Sequence, residues 1–190
     1  ILTMPNSLAY VGDGAFSNCA KLTGVILGRG IVRIGNEAFL GCTALTSAIL
    51  GEYDKESLSL GRSNLIEIGD YAFGACSSLN AIDIPYTVVH IGMHAFRNSG
   101  IYDKASREVY AGNWVVDCKS DGVYGTVSIQ NGTAGIADYA FYRCSGIGAV
   151  MIPDSVGIIG KSAFYKCKAL SSVTLPAGLT EIKDYTFYYC

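Results

Sequence analysis

Charged side chains are scarce in this sequence. They make up 16% of 190 residues, against roughly 25% in an ordinary soluble domain. Fourteen basic and 16 acidic residues leave a formal net charge of −2, which gives no basic footprint for nucleic acid or an anionic membrane surface. Long hydrophobic runs are missing as well. None approaches the roughly 18–20 residues that a membrane-spanning helix needs, so no membrane insertion is expected of this chain. No charged and apolar leader with a small-residue end stands at Ile1, so any signal peptide has been removed or lies upstream. Catalytic signatures are also absent: there is no G-x-S-x-G, no H-E-x-x-H and no P-loop pattern. His90 and His94 have a spacing that can bind metal on a helix, but His90 falls in an extended segment and His94 in the turn after it. Nothing places His90 beside Asp154 and Ser155 as a triad. The chain therefore reads as non-catalytic, with neither cofactor nor metal.

What the sequence does contain is apolar and repetitive. Apolar residues are 50% of the chain and 23 residues are glycine, too apolar a composition for disorder. An Ala-Phe pair recurs at Ala15-Phe16, Ala38-Phe39, Ala72-Phe73, Ala95-Phe96, Ala140-Phe141 and Ala163-Phe164, with Thr186-Phe187 a degenerate seventh copy. The phenylalanines are 23, 34, 23, 45, 23 and 23 residues apart. The period is thus 23, with insertions at about 51–61 and 98–125.

Within a unit, Val173-Thr174-Leu175 alternates as a strand with one buried face does, and Pro176 ends it because proline cannot donate to a ladder. Phe164 and Cys167, three apart, suit a short 3₁₀ or helical turn with one inward face. The frame repeats at Leu79, Ile82, Ile84, Pro85, Val88, Ile91 and Phe96, and at Leu22, Val25, Leu27, Ile31, Ile34, Phe39 and Cys42. Burying the inward side chains of one unit cannot offset the entropy lost in ordering 23 residues. Each coil must be completed by its neighbours, which is the logic of a solenoid.

The unit L-x-x-I-x-I-P-x-x-V-x-x-I-G-x-x-A-F-x-x-C resembles the BspA-like class of leucine-rich repeat, nearly position for position over Leu79–Phe96 and Ile147–Cys167. The resemblance covers essentially the whole chain apart from the insertions. It implies an α/β leucine-rich repeat solenoid, a right-handed superhelix of about seven 23-residue repeats, strand-rich with short helical turns. It also implies a cell-surface or extracellular location and adhesion to a protein or glycan partner, such as a host or matrix protein. The whole of 1–190 reads as one repeat domain.

Cys19, Cys42, Cys76, Cys144, Cys167 and Cys190 each follow a repeat phenylalanine by three residues, and Ser99 takes that place after Phe96. Side chains in one phase point in parallel, about one rung apart, which is beyond the ~3.8 Å between Cβ atoms that a disulfide prefers. They read as reduced core residues, a state that favours a reducing niche and pulls against the extracellular expectation. Cys118 is out of phase, and it is the one candidate for an exposed or reactive thiol.

Three surfaces are candidates for binding. The outward strand position runs Thr3, Ile26, Ile49, Asp83, Ser128, Met151 and Thr174, and Ile26, Ile49 and Met151 give it apolar character. The first insertion is polar and carries Tyr53. The second contains Glu108–Cys118, which reads as a hairpin. On it, Trp114 and Tyr110 either project as aromatic anchors or pack over the core where the stack is interrupted. An insertion that long must bury something to stay ordered, which favours packing for Trp114. Asn131-Gly132-Thr133 is a glycosylation sequon that coincides with a strand-ending turn. Neither chain end carries a polar cap, so the chain reads as a piece of a longer array or as one that self-associates end to end. Its function is then adhesion without chemistry, or that of a structural spacer or accessory region in a larger protein.

Overall fold

A computed structural model describes residues 1–51, 53–54, 59–60, 62–119 and 125–190. The chain divides into two compact units, Ile1–Lys104 and Ala105–Cys190, each a stack of coils.

In the first unit, Leu2–Thr3, Gly24–Ile26 and Ser47–Ile49 form one parallel sheet, with Thr3, Ile26 and Ile49 in register. Tyr10–Val11, Arg33–Ile34, Glu67–Ile68 and His90–Ile91 form a second. Its inward column, Val11, Ile34, Ile68 and Ile91, is buried. Its other column sets Arg33 Nε 3.3 Å and His90 Nδ1 3.6 Å from Glu67 Oε1. Such half-exposed pairs contribute little to stability.

The third side of each coil is the Ala-Phe turn. The phenylalanine rings stack at 5.4, 5.2 and 5.5 Å through Phe16, Phe39, Phe73 and Phe96. In the second unit Phe141, Phe164 and Phe187 stack at 4.9 and 5.3 Å. Helical turns were expected here, but helix among the described residues is confined to Gly100–Lys104. The reason lies in the backbone. Each turn holds two left-handed residues four apart: Gly14 and Asn18, Glu37 and Gly41, Tyr71 and Ala75, His94 and Asn98, Tyr139 and Arg143, Ser162 and Lys166, Tyr185 and Tyr189. Left-handed residues interrupt any α-helix. They also turn alternate amides toward the next coil, so that Phe16 N donates to Ala38 O at 2.8 Å, Phe73 N to Ala95 O at 2.7 Å and Phe141 N to Ala163 O at 2.7 Å. The turn thus bonds between coils as a strand does.

A further column ties the coils together. Oδ1 of Asp13, Asn36, Asp70 and Asp138 accepts the amide of Asn36, Asp70, Met93 and Lys161 of the following coil, at 2.7–2.9 Å. Gly92 lies where a Cβ would stand 2.6 Å from Asp70 N. Coils can approach this closely only over a glycine.

The second unit has one parallel sheet of Gly125–Ser128, Ile147–Met151 and Ser172–Thr174, with Ser128, Met151 and Thr174 in register. Its other sheet begins with the hairpin read from the sequence: Glu108–Ala111 pairs antiparallel with Trp114–Cys118. That hairpin does not project. Trp114–Cys118 continues as a parallel neighbour of Gly135–Ile136, which pairs in turn with Ile158–Ile159.

Candidate functional site

Of the outward positions singled out in the sequence, Thr3, Asp83, Ser128, Met151 and Thr174 are exposed, and Met151, the apolar one among them, is 54% exposed. Ile26 and Ile49 are half-buried neighbours in one sheet of the first unit. Tyr53 lies on the short antiparallel pair Tyr53–Asp54 and Ser59–Leu60, and its side chain lies outside the described residues. Tyr110 is half-buried and tied down, its phenol oxygen accepting Gln130 N at 3.2 Å. Burial pushes that phenol above its ordinary pKa.

Trp114 is corrected outright as an anchor, since it is 2% exposed. Its indole lies over Gly135, the residue it faces across the parallel pair, where an added Cβ would come within 2.5 Å of the ring. A glycine facing a tryptophan gives the ring a bed inside the stack, so the expectation that it packs over the core holds.

The thiols follow a rule of their own. Cys42, Cys76, Cys144 and Cys167 are fully buried, while Cys19 and Cys190 are exposed. Cys42 Sγ donates to Phe16 O at 3.1 Å, and Cys76 and Cys167 do the same to Phe39 O and Phe141 O. At Ser99 a hydroxyl replaces the thiol and bonds Phe96 O at 2.6 Å. The repeat cysteine is thus a small core residue that satisfies a buried carbonyl. Cys118, the candidate for an exposed or reactive thiol, is buried beside Cys144. Contact with that thiol and burial push its pKa up.

Burial pushes Cys42 upward too, and Cys76 up from 9.0 to about 12. In the unfolded chain these thiols ionise near the ordinary value, and in the folded chain they stay protonated. Their contribution is therefore complete below pH 9.0 and is lost as pH rises toward about 12. The melting temperature is expected to fall across that window, and to fall less in a Cys76→Ser variant, as read by circular dichroism.

A feature not singled out in the sequence is a pocket of about 420 Å³ in the second unit, walled by Tyr139, Tyr142, Tyr165, Tyr185 and Tyr188, with Lys161 and Ser162 completing it. Two columns build it. Tyr142, Tyr165 and Tyr188 follow the stacked phenylalanines by one residue and lie 5.7 and 5.3 Å apart. Tyr139 and Tyr185 are the left-handed residues of their turns. Each meets the tyrosine three residues on edge-to-face, at 5.7 Å for Tyr139–Tyr142 and 5.5 Å for Tyr185–Tyr188. In the coil between them that left-handed position is Ser162, so Tyr165 has no such edge-on partner within its own turn. A recess over Ser162 results.

Ser162 is 1% exposed, and its hydroxyl is buried without a hydrogen-bond partner, a state that costs roughly 1–3 kcal/mol. Cations gather around the recess. Lys161 Nζ stands 6.0 Å from the Tyr185 ring, and Lys166 Nζ stands 5.1 Å from the Tyr165 ring. Arg143, Ser145, Lys166 and Lys168 line a second depression of about 240 Å³. Asp138 and Asp184 belong to the same turns, and Asp138 is engaged with Lys161 N.

The described residues hold no cluster of three or more His, Cys, Asp or Glu that could bind a metal. His90 sits beside Glu67, and the His94 ring lies 5.5 Å from that of Tyr71. No helix among them is long and apolar enough to cross a membrane.

The repeat pattern now meets an independent comparison. A family model described as BspA type leucine rich repeat region matches in six copies, over residues 55–106 and 124–190. The chain belongs to the BspA-type leucine-rich repeat family. A search of curated proteins finds no match. Among solved structures, this BspA-type chain is similar to a leucine rich cell surface protein from Faecalibacterium prausnitzii, at 23% identity and a TM-score of 0.48, over 99% of this chain and 64% of that one. It is similar to the pneumococcal vaccine antigen PcpA at 19% identity and a TM-score of 0.45, over 98% of this chain and 53% of that one. A leucine-rich repeat protein from Bacteroides ovatus matches at 15% identity and a TM-score of 0.47, over 100% of this chain and 84% of that one. The chain spans less than two thirds of the first two. In BspA-type terms, the pocket arises from residues beside the repeat Ala-Phe pair, and its sequence signal is the run A-F-Y-x-C at Ala140–Cys144 and Ala163–Cys167.

Proposed function

We propose that this chain is a binding module of a cell-surface or secreted protein, which holds a protein or glycan partner on a rigid repeat scaffold and performs no chemistry. Family membership supports the repeat scaffold. The observation that carries the reading is the tyrosine cluster of the second unit, where Tyr139, Tyr142, Tyr165, Tyr185 and Tyr188 line a concave pocket. Tyr139 and Tyr185 occupy a turn position that other coils fill with Gly14, Glu37 or His94, so the fold does not require tyrosine there. Tyrosine offers large rigid contact area with a polar tip, the property that enriches it at recognition surfaces. Met151, and Ile26 and Ile49 in the first unit, are proposed contact residues in their own sheets. A further part of the proposal is that 1–190 acts as one repeat domain within a longer array.

Surface plasmon resonance of the chain against a panel of matrix proteins and glycans tests the reading. At least one partner is expected to bind. Joint replacement of Tyr185, Tyr188 and Tyr189 by serine is expected to weaken it at least about ten-fold with little change in melting temperature. Undiminished binding by that variant would remove the tyrosine cluster as the carrier, and a panel without any partner would favour a spacer.

A further inference from the structure

We propose that the recess at Ser162 is a subsite for one ring of an acidic carbohydrate, a sugar bearing a carboxylate or sulfate. This deepens the binding reading above and rests on it. Three observations converge. The recess lies where the repeat omits a ring: Tyr139 and Tyr185 hold the same left-handed conformation as Ser162, with φ of 56°, 57° and 55°, and line it from the coils on either side. The Ser162 hydroxyl, buried and without a partner, calls for a polar atom that an incoming group can supply. Cations stand nearby: Lys161 is on the pocket wall, and Lys166, beside the Tyr165 ring, lines the second depression with Arg143, whose Cζ is 5.8 Å from the Tyr142 ring.

A sugar ring answers all three. Its C–H faces pack on aromatic rings, its hydroxyls pair with the serine and with phenol groups, and its acidic substituent meets the lysines. An aromatic side chain from a protein partner would fill the recess and leave the cations unanswered. The basic character is local, because the whole chain carries a net charge of −2. Lys161 itself departs from the repeat, standing where Asp13, Asn36, Asp70 and Asp138 accept an amide from the next coil. An ammonium cannot accept that bond, so this coil has exchanged a structural acceptor for a positive charge at the mouth of the recess.

The deciding variant is Ser162→Tyr, which restores the omitted ring. Tyrosine already takes this backbone conformation at Tyr71, Tyr139 and Tyr185, so the variant is expected to fold and to melt no lower than the parent. Isothermal titration calorimetry of the full chain, at physiological ionic strength, uses a heparin-derived hexasaccharide and a neutral glucan hexasaccharide. The sulfated probe is expected to bind the parent at least about ten-fold more tightly than the neutral one. Ser162→Tyr is expected to lose that binding, and Lys161→Gln to weaken it several-fold. Ser162→Ala keeps the recess open, so it is expected to retain more affinity than Ser162→Tyr. Equal binding by Ser162→Tyr and the parent, equal binding of the two probes, or no binding of either would overturn the assignment. If an aromatic peptide competes for the recess and the sulfated sugar does not, the occupant is a protein side chain and the assignment again fails. Binding of matrix proteins in the surface assay would survive each of these failures, so the wider reading is tested separately.

Discussion

Phe73→Ala is expected to destabilise the first unit by about 3–5 kcal/mol, the usual cost of emptying a buried aromatic site. Phe73 is fully buried and stacked on both sides, 5.2 Å from Phe39 and 5.5 Å from Phe96, with interplanar angles of 9° and 6°. Coils in a stack are completed by their neighbours, so the loss falls on two interfaces. Phe16 is half-buried and has Phe39 as its stacking partner, and Phe16→Ala is expected to cost clearly less. Thermal denaturation of both variants reads the difference. For a unit of this size a loss near the upper figure lowers the melting temperature by more than about 10 °C. Equal effects of the two substitutions would mean that stability is not transmitted from coil to coil.

Trp114→Ala is expected to have an effect of similar size on the second unit, again about 3–5 kcal/mol, and to act through folding. The indole is buried over Gly135, and its strand joins the hairpin to the parallel sheet. Val115, Val116 and Cys118 on that strand are also buried, so the cavity would open in the middle of a packed element. Chemical denaturation followed by circular dichroism measures the loss. If Trp114→Ala left the midpoint unchanged and lowered partner binding, the ring would be a contact residue after all.

Much of this fold is legible because a solenoid writes the same physical requirement once per coil. The phenylalanine stacks, the buried strand column through Ile34, Ile68 and Ile91, and the in-phase thiols all follow from a period of 23 residues. The left-handed pairs in each turn were less legible, because residues as different as Glu37, Tyr71, His94 and Ser162 take the same conformation. Composition at those positions carries no turn signal, and the spacing of Phe164 and Cys167 suits a helical turn equally well. What selects the observed turn is the hydrogen bonding between coils, which a single unit does not display.

The same reason explains the site. Reading the sequence for core and for outward strand residues finds Ile26, Ile49 and Met151 but passes over the turn column. The recess exists because one member of that column is small while its neighbours two coils apart are Tyr139 and Tyr185. It becomes visible only when Tyr139, Ser162 and Tyr185 are set side by side. Trp114 admits two readings in the sequence. A lone tryptophan on a hairpin suggests a projecting anchor, but Gly135 opposite provides a bed for it. The core thiols, unlike the exposed Cys19 and Cys190, ease a further tension. Buried, protonated cysteines bonded to carbonyl oxygens are chemically inert, so free thiols in the core are compatible with an oxidising surroundings as well as a reducing one.

The repeat register underlies both the fold and the recess, and nuclear Overhauser contacts between phenylalanine rings test it most directly. Ring-to-ring contacts are predicted for Phe16–Phe39, Phe39–Phe73 and Phe73–Phe96 in the first unit, and for Phe141–Phe164 and Phe164–Phe187 in the second. Contacts that skip a coil, such as Phe16–Phe73 or Phe141–Phe187 without Phe164 between them, or no ring contacts at all, would contradict the stacking from which every other conclusion is built.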